Sequence, residues 1–219
     1  MVKDIIIIGA GGTGKEVAEA IEDINSLGRK WNLLGFLDDD PQKHGREYNG
    51  CPVLGSISTA AEYPRCHFVL VLGNHRDLRL TKRVFDRLSL DSSRFATIIH
   101  PSARVSRYAE IGPGTIVLQN CVITPNSRIG RHVLVLFGSN IGHDCIVDDS
   151  VVIASNAVLA GGVWISEGCY IGANATILQK VKIGPWSCVG MGAVVFSDVL
   201  SNSTVVGNPA RLLRHRVRE

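Results

Sequence analysis

The chain has 219 residues, of which 20% are charged, and its formal net charge is +3. This length is sufficient for two domains with their own cores, whereas the nearly balanced charge gives no reason to expect a nucleic-acid partner. No apolar run reaches the roughly 18 residues of a membrane span, and the six cysteines form no C-x-x-C pair, which argues against structural zinc and indicates a reducing compartment, the cytoplasm.

Residues 1–95 alternate between strand-like and helix-like segments. Residues 4–8, 33–37 and 67–73 predict buried strands, residues 15–27 and 78–88 predict helices, and residues 53–55 form a short third element. Because Met1 leads straight into the first strand, we expect no signal peptide. The alternation predicts a small Rossmann-like α/β domain with a parallel sheet.

A glycine-rich loop joins the first strand to the first helix. Gly9, Gly11 and Gly14 spell G-x-G-x-x-G, and the backbone N–H groups at such a helix start attract phosphate. Asp38 and Asp39 follow the second strand, where they could accept hydrogen bonds from a ribose or a base edge. The domain is roughly half a dinucleotide fold. This size favours a nucleotide diphosphate, while an NAD-type dinucleotide and a purely structural turn remain alternatives.

Residues 96–219 follow a different pattern. From Ile99 to Val195 every sixth residue is aliphatic, a period that fits neither a helix nor an isolated strand. It predicts a parallel β-helix in which each hexad is a short strand plus a corner, with the aliphatic residue in a shared core. Three cysteines occupy the small-residue position of the hexad and are expected to be buried. Glycine often follows the aliphatic residue, which we attribute to a turn with positive φ. Residues 197–219 are expected to form a loop and a short helix that cover the open end.

A histidine and a carboxylate stand side by side at one hexad corner, where side chains point outward. In Gly142-His143-Asp144 the histidine can act as a general base, because the neighbouring anion favours the imidazolium that forms during catalysis. One three-sided coil takes eighteen residues, so Gly161, followed by Gly162, stacks on His143 at about 4.8 Å. A free Gly161 N–H there could stabilise a thioester oxyanion. The alternative is a surface histidine in a turn.

The other histidines do not suggest a metal site. His100 and His132 lie near corners, but metal-binding enzymes of this kind need three histidines that converge between neighbouring subunits. His132 and His143 are eleven residues apart, and the next histidine is His215. We therefore expect no metal, and metal-dependent hydration of the γ-type carbonic anhydrase kind is disfavoured.

Several longer motifs occur in order along the whole chain: G-A-G-G-T-G-K-E-V-A, L-G-F-L-D-D-D-P, I-G-H-D-C-I-V-D-D and V-V-G-N-P-A-R-L-L. With them the chain resembles the bacterial sugar acyltransferases, which include the sialic acid O-acetyltransferase and the nucleotide-4-amino-sugar N-acetyltransferases. The resemblance implies a left-handed parallel β-helix, a homotrimer, and acetyl-CoA bound between adjacent helices. It also implies a nucleotide-sugar held by the N-terminal domain, as in cytoplasmic steps of surface polysaccharide biosynthesis.

The resemblance also assigns roles by position. His143 matches the catalytic base, Asp144 its acidic partner and Gly161 the amide that holds the thioester oxygen. The nucleotide-sugar site corresponds to Gly9, Gly11, Gly12, Thr13, Gly14, Asp38 and Asp39. The segments near CoA correspond to Gly161, Gly162, Gly190, Met191, Gly192, Asn208 and Pro209. Thr13 and Leu136 differ from the amino-sugar enzymes, which often carry His and Asn at these two positions.

The function expected from the sequence is acetyl transfer from acetyl-CoA to the amine of a 4-amino-4,6-dideoxy nucleotide-sugar. One alternative keeps the acetyltransferase class and changes the acceptor to a sugar hydroxyl, as in O-acetylation of sialic acid. A second alternative is a non-catalytic, trimeric nucleotide-binding scaffold.

Overall fold

A computed structural model describes residues 2–215. The N-terminal domain contains a five-stranded sheet in the order β3-β4-β2-β1-β5, parallel except for the β3–β4 hairpin. Its elements are β1 (Lys3–Ile8), α1 (Gly12–Ser26), β2 (Trp31–Leu37), β3 (Glu47–Tyr48), β4 (Cys51–Gly55), β5 (His67–Leu70) and α2 (Leu80–Leu88), with 3-10 turns at Pro41–Lys43, Ile57–Glu62 and Ser92–Arg94.

The parallel sheet forms because β1, which lies between β2 and β5, is apolar on both faces. Residues 5–8 of β1 are fully buried, and α1 covers one side of the sheet with Val17, Ala18 and Ile21. The predicted Rossmann-like arrangement is thus confirmed, with shifted boundaries. The strand predicted at 33–37 begins at Trp31, the strand predicted at 67–73 ends at Leu70, and the helix predicted at 78–88 begins at Leu80.

The rest of the chain is a parallel β-helix whose coils stack every eighteen residues, as in the pairing of Val122 with Asn140. Strands β6–β22 are Ile98–Ile99, Arg104–Val105, Glu110–Ile111, Ile116–Val117, Val122–Ile123, Arg128–Ile129, Leu134–Val135, Asn140–Ile141, Ile146–Val147, Val152–Ile153, Val158–Leu159, Trp164–Ile165, Tyr170–Ile171, Thr176–Ile177, Lys182–Ile183, Cys188–Val189 and Val194–Val195.

Three sheets form the sides of the β-helix. The first sheet contains β6, β9, β12, β15, β18 and β21, the second sheet β7, β10, β13, β16, β19 and β22, and the third sheet β8, β11, β14, β17 and β20. The hexad prediction is therefore confirmed. Because no coil covers the first turn, Ile99 remains 37% exposed and does not reach the core that the later aliphatic residues share.

The predicted small-residue positions line the core. Cys121, Cys145 and Cys169 are buried as expected, and each thiol points at a backbone carbonyl. Burial raises the pKa of the Cys169 thiol to about 12, so this sulfur stays protonated. These cysteines therefore act as small hydrophobic residues.

The glycines that follow the aliphatic residue have a different role from the one predicted. Gly112, Gly142 and Gly172 do not have positive φ; a Cβ at each would lie within 2.5–2.8 Å of the backbone of the next coil. Positive φ occurs two residues later, for example at Asp144 (φ 60°) and Asn126 (φ 62°). The glycines are therefore required by close stacking of coils, and the left-handed residue makes the turn.

The C-terminal segment is a hairpin. The predicted short helix is wrong for the described part of the segment, since residues 197–215 contain β23 (Ser203–Val206) and β24 (Arg211–His215) instead. Strand β23 extends the first sheet by pairing with β21, and β24 folds back antiparallel to β23. Thr204 and the valines after it favour strands, so the β-pairing of the first sheet continues into this segment. The last part of the predicted helix, residues 216–219, lies outside the described residues.

The N-terminal domain packs on the outward face of the first sheet. Ile116, Leu134 and Val152 project from this sheet into a buried cluster that also contains Val71 and Ala96. A polar contact secures the edge of this junction, where His100 Nε2 lies 2.9 Å from Asp23 Oδ2 of α1. No helix within residues 2–215 has the length and apolar character needed to cross a membrane.

Candidate active site

The predicted histidine–carboxylate pair is formed at the corner between β13 and β14. His143 Nδ1 lies 2.7 Å from Asp144 Oδ2, and the two side chains are 70% and 57% exposed. The pKa of Asp144 is lowered, first by its hydrogen bond with His143 and then by one from Asn126. An ionised Asp144 can only accept, so Nδ1 carries the proton and Nε2 is left as the basic nitrogen.

Gly161 lies directly against the imidazole ring, one coil further along. A Cβ built on Gly161 would be 2.5 Å from Nε2 and 2.6 Å from Cε1 of His143, so only glycine leaves room for the ring. The Gly161 N–H donates to no acceptor within residues 2–215. Four prolines occupy the same hexad position elsewhere, which shows that the fold needs no N–H there: Pro101, Pro113, Pro125 and Pro185.

The neighbouring Gly162 is committed to the fold. Its N–H donates to the carbonyl of His143 at 2.8 Å and its φ is +70°, so it makes the left-handed turn of its coil. Gly162 therefore fixes the position of the His143 backbone, and its amide is not available to a ligand in this conformation.

The remaining predicted CoA segments lie together, but on another corner. Gly190, Met191 and Gly192 connect the first sheet to the second, while His143 connects the second to the third. The turn containing Asn208 and Pro209 lies next to β22, because Val194 N–H donates to Gly207 O and Ala210 N–H donates to Val194 O. Met191 is 76% exposed. Within one chain, these segments and His143 lie at opposite ends of the strands of the second sheet.

The glycine loop has the close approaches that a phosphate-binding turn requires. A Cβ on Gly14 would lie 2.1 Å from Gly9 O, and one on Gly9 would lie 2.5 Å from Val71 O. Gly11 and Gly12, in contrast, face open space. Helix α1 has no side-chain cap and no acidic residue in its first turn, so the N–H groups of Gly12 and Thr13 remain available.

Asp38 supports this loop from the end of β2. Its carboxylate accepts hydrogen bonds from Ala10 N–H and from Lys43 Nζ, both at 2.8 Å, and from Asp40 N–H. Burial tends to raise the pKa of Asp38, but the hydrogen bonds from Lys43, Asp40 and Ala10 outweigh it, so the pKa is lowered. The carboxylate is thus ionised and lies beside the loop.

Asp39 lies away from the loop. Its carboxylate accepts from Ile57 N–H at 2.8 Å and from Arg87 at 2.7 Å, tying β2 to α2. Lys15, which follows the glycine loop in α1, places its ammonium 4.2 Å from the centre of the Tyr48 ring. Of the two predicted aspartates, Asp38 is the one with direct contact to the glycine loop.

Two polar residues of the site, Lys43 and Asn126, were not identified from the sequence. Lys43 neutralises Asp38, and Asn126 donates from Nδ2 to Asp144 Oδ1 at 3.1 Å. Asn126 precedes Asp144 by one coil, so the stacking rule that identifies Gly161 would have found it. Within residues 2–215, no three His, Cys, Asp or Glu side chains lie together as a metal site requires.

Comparison with known proteins gives matches over both domains. Residues 4–88 match the PglD N-terminal domain, and residues 162–197 match the bacterial transferase hexapeptide (six repeats). The UDP-N-acetylbacillosamine N-acetyltransferase of Bacillus subtilis is 32% identical over 118 residues, which are 53% of this chain and 51% of that protein. The matched segment thus spans about half the length of this curated relative.

Solved structures match over nearly the whole chain. A point mutant of perosamine N-acetyltransferase from Caulobacter crescentus, in complex with CoA and GDP-perosamine, is 27% identical over 98% of both chains, with a TM-score of 0.84. The acetyltransferase domain of PglB from Neisseria gonorrhoeae is 32% identical over 96% of this chain and 100% of that chain, with a TM-score of 0.82. The same domain has been solved with acetyl coenzyme A.

These matches agree with the predicted fold class, a Rossmann-like domain followed by a left-handed parallel β-helix. They also agree with the family indicated by the sequence motifs. The chain belongs to the bacterial sugar acetyltransferases that join a PglD-type N-terminal domain to a hexapeptide-repeat β-helix.

Proposed function

We propose that this protein transfers the acetyl group of acetyl-CoA to the 4-amino group of a nucleotide-linked 4-amino-4,6-dideoxy sugar. The observation that carries the proposal is the packing of His143, held by Asp144, against Gly161, whose N–H has no acceptor among residues 2–215. The glycine loop supports a nucleotide-linked acceptor, and the relatives that bind GDP-perosamine or act on UDP-N-acetylbacillosamine support an amine.

The reaction follows from this geometry. The amine of the acceptor attacks the thioester carbonyl while Nε2 of His143 takes a proton from the nitrogen, and Asp144 stabilises the imidazolium. The carbonyl oxygen becomes an oxyanion that the Gly161 N–H stabilises. When the tetrahedral intermediate collapses, the C–S bond breaks, and the proton on Nε2 passes to the departing CoA thiolate. The products are the acetamido sugar and CoA.

The acceptor is assigned to the side of His143 that faces away from Gly161, because the thioester occupies the Gly161 side. A cavity of about 400 Å³ lies on this side, on the coils that precede His143. Its lining includes Arg107, Tyr108 and Pro125. Arg107 is suited to an anionic part of the acceptor.

We further propose a homotrimer in the cytoplasm with a site shared between subunits. The His143 side chain is 70% exposed, and the predicted CoA segments lie at the opposite ends of the strands of the second sheet. In a trimer, one subunit's His143 could face the Met191 corner of its neighbour across a single cleft. The Cys121, Cys145 and Cys169 thiols each donate a hydrogen bond to a backbone carbonyl, which fits a reducing compartment.

A thermal-shift panel tests the proposal, with UDP-, TDP- and GDP-linked 4-amino sugars assayed with and without CoA. A ligand at about 100 times its Kd stabilises by about 2.7 kcal/mol, which is a readable shift. Stabilisation by one nucleotide-sugar, together with CoA release from acetyl-CoA in its presence, is the expected result. Stabilisation by CoA alone, with acetylation of free sialic acid, would contradict it and favour O-acetylation. Absence of turnover with every acceptor would favour the non-catalytic scaffold.

A further inference from the structure

One asparagine of the β-helix behaves differently from its equivalents. Asn120, Asn126, Asn156 and Asn174 all take the left-handed conformation at hexad corners, with φ between 57° and 62°. Asparagine is common there because it tolerates positive φ. Within residues 2–215, Asn126 alone of these four makes a side-chain hydrogen bond, from Nδ2 to Asp144 Oδ1.

The backbone aligns Asn126 and Asp144 for this contact. They are stacked one coil apart and share the same conformation, with φ of 62° and 60°. The Asp144 N–H donates to Pro125 O at 3.1 Å, and the Asn126 N–H donates to Tyr108 O at 3.2 Å, so both corners are fixed to the coil before them. The side-chain bond therefore forms with little loss of backbone freedom.

This contact completes a series of hydrogen bonds that runs from Asn126 through Asp144 to the imidazole of His143. Asp144 presents Oδ2 to His143 Nδ1 at 2.7 Å and Oδ1 to Asn126 Nδ2 at 3.1 Å. With one oxygen held from each side, the carboxylate plane cannot rotate without breaking a bond. An exposed carboxylate that had only the histidine contact would rotate more freely. The plane of Asp144 in turn sets the orientation of the ring.

We propose that Asn126 is a positioning residue for acetyl transfer, holding Asp144 so that His143 keeps Nε2 directed at the reacting groups beside Gly161. This inference rests on the proposed function and adds a residue that acts through Asp144 rather than on the substrate. The other charged side chains on this corner are Arg107, two coils before His143, Lys180, two coils after Asp144, and Asp198, three coils after Asp144. None of them forms an ion pair with Asp144 in the described part of the chain.

The activity test uses Asn126→Gly, which keeps the left-handed turn and removes the side chain. Asn174→Gly is the matched control at the same kind of corner. For Asn126→Gly we expect kcat to fall by a factor of about two to ten, the usual contribution of one hydrogen bond, with an unchanged KM for acetyl-CoA. Asn174→Gly should keep the wild-type kcat. Equal kcat values for both variants and the wild type would overturn the proposal.

The pH profile separates positioning from a structural effect. In Asn126→Asp a second carboxylate replaces the amide donor, repels Asp144 and favours the protonated imidazole. The acid limb of the kcat profile should therefore move to higher pH, whereas it should not move in Asn174→Gly. An Asn126→Asp profile that superimposes on that of the wild type would contradict the proposal that Asn126 acts on His143 through Asp144.

A second readout does not need turnover. Nitrogen-15 chemical shifts of the imidazole report which ring nitrogen carries the proton, and His143→Asn identifies the signal. We expect one tautomer with the proton on Nδ1 in the wild type and in Asn174→Gly, and a mixture in Asn126→Gly. An unchanged tautomer in Asn126→Gly would refute the positioning role. If the wild type acetylates no amine, the proposed function fails, but the tautomer result still decides whether Asn126 orders the pair.

Discussion

Replacement of Gly161 by alanine adds one carbon atom where Gly161 contacts the His143 ring, and so tests whether this contact positions the ring. The added Cβ would lie 2.5 Å from His143 Nε2, whereas ordinary carbon contacts need about 3.5 Å, so the ring must move by about 1 Å. A shift of this size lengthens the 2.7 Å bond from His143 Nδ1 to Asp144 beyond the range of a good hydrogen bond.

We expect Gly161→Ala to lower kcat by about 100-fold, the cost typical of a misplaced catalytic group. The melting temperature should change little, because the ring is 70% exposed and can swing into solvent. The assay follows CoA thiol release with the acceptor identified in the thermal-shift panel. Gln179→Ala, on the same corner one coil later, is the control and should retain wild-type turnover.

A double-mutant cycle makes this test specific to the clash. In a His143→Ala background there is no ring to displace, so adding Gly161→Ala should change the residual rate by no more than about a factor of two. Wild-type kcat in Gly161→Ala would refute the reasoning. An equal loss in both backgrounds would show that the alanine acts on something other than His143.

Two further predictions concern stability. Burial lowers the pKa of His132 to about 4 from 6.5, so between these pH values the unfolded chain binds a proton that the folded chain does not. The free energy of unfolding should therefore fall by about 2 kcal/mol from pH 7 to pH 5 through this residue, and be unaffected by it above 6.5. In His132→Asn, which tolerates the left-handed turn, urea titrations at pH 7 and pH 5 should show a fall in the free energy of unfolding that is smaller by this amount. A fall equal to that of the wild type would contradict the prediction. Gly14→Ala places a Cβ 2.1 Å from Gly9 O and should destabilise the chain by about 2–3 kcal/mol, whereas Gly12→Ala, with open space, should leave the melting temperature unchanged.

The β-helix could be predicted because its period is written directly in the sequence. A repeated six-residue pattern leaves one way to bury every aliphatic residue, and the eighteen-residue coil then places Gly161 against His143 without further information. The reason given for the corner glycines was wrong because φ cannot be read from residue type alone. Close approach of the next coil and positive φ both select glycine, and only the stacked backbones distinguish them.

The end of the chain and the nucleotide site depend on contacts that no local pattern records. Residues 203–215 form strands because β21 offers an unpaired edge, which a sequence lacking the hexad pattern does not reveal. Asp38 and Asp39 are adjacent in sequence, yet one supports the glycine loop and the other ties β2 to α2. Both lie just beyond the end of β2 at Leu37, where no strand alternation assigns partners, so those of each depended on the tertiary contacts of this turn.

The most direct test of the account is single-turnover acetylation by the wild type and by His143→Ala, with the product identified by mass spectrometry and NMR. The protein is mixed in excess with acetyl-CoA and the nucleotide-linked 4-amino sugar that stabilises it. We expect one acetyl group on the 4-nitrogen and a rate at least about 100-fold lower in His143→Ala. Acetylation of a hydroxyl, or a variant as fast as the wild type, would contradict it.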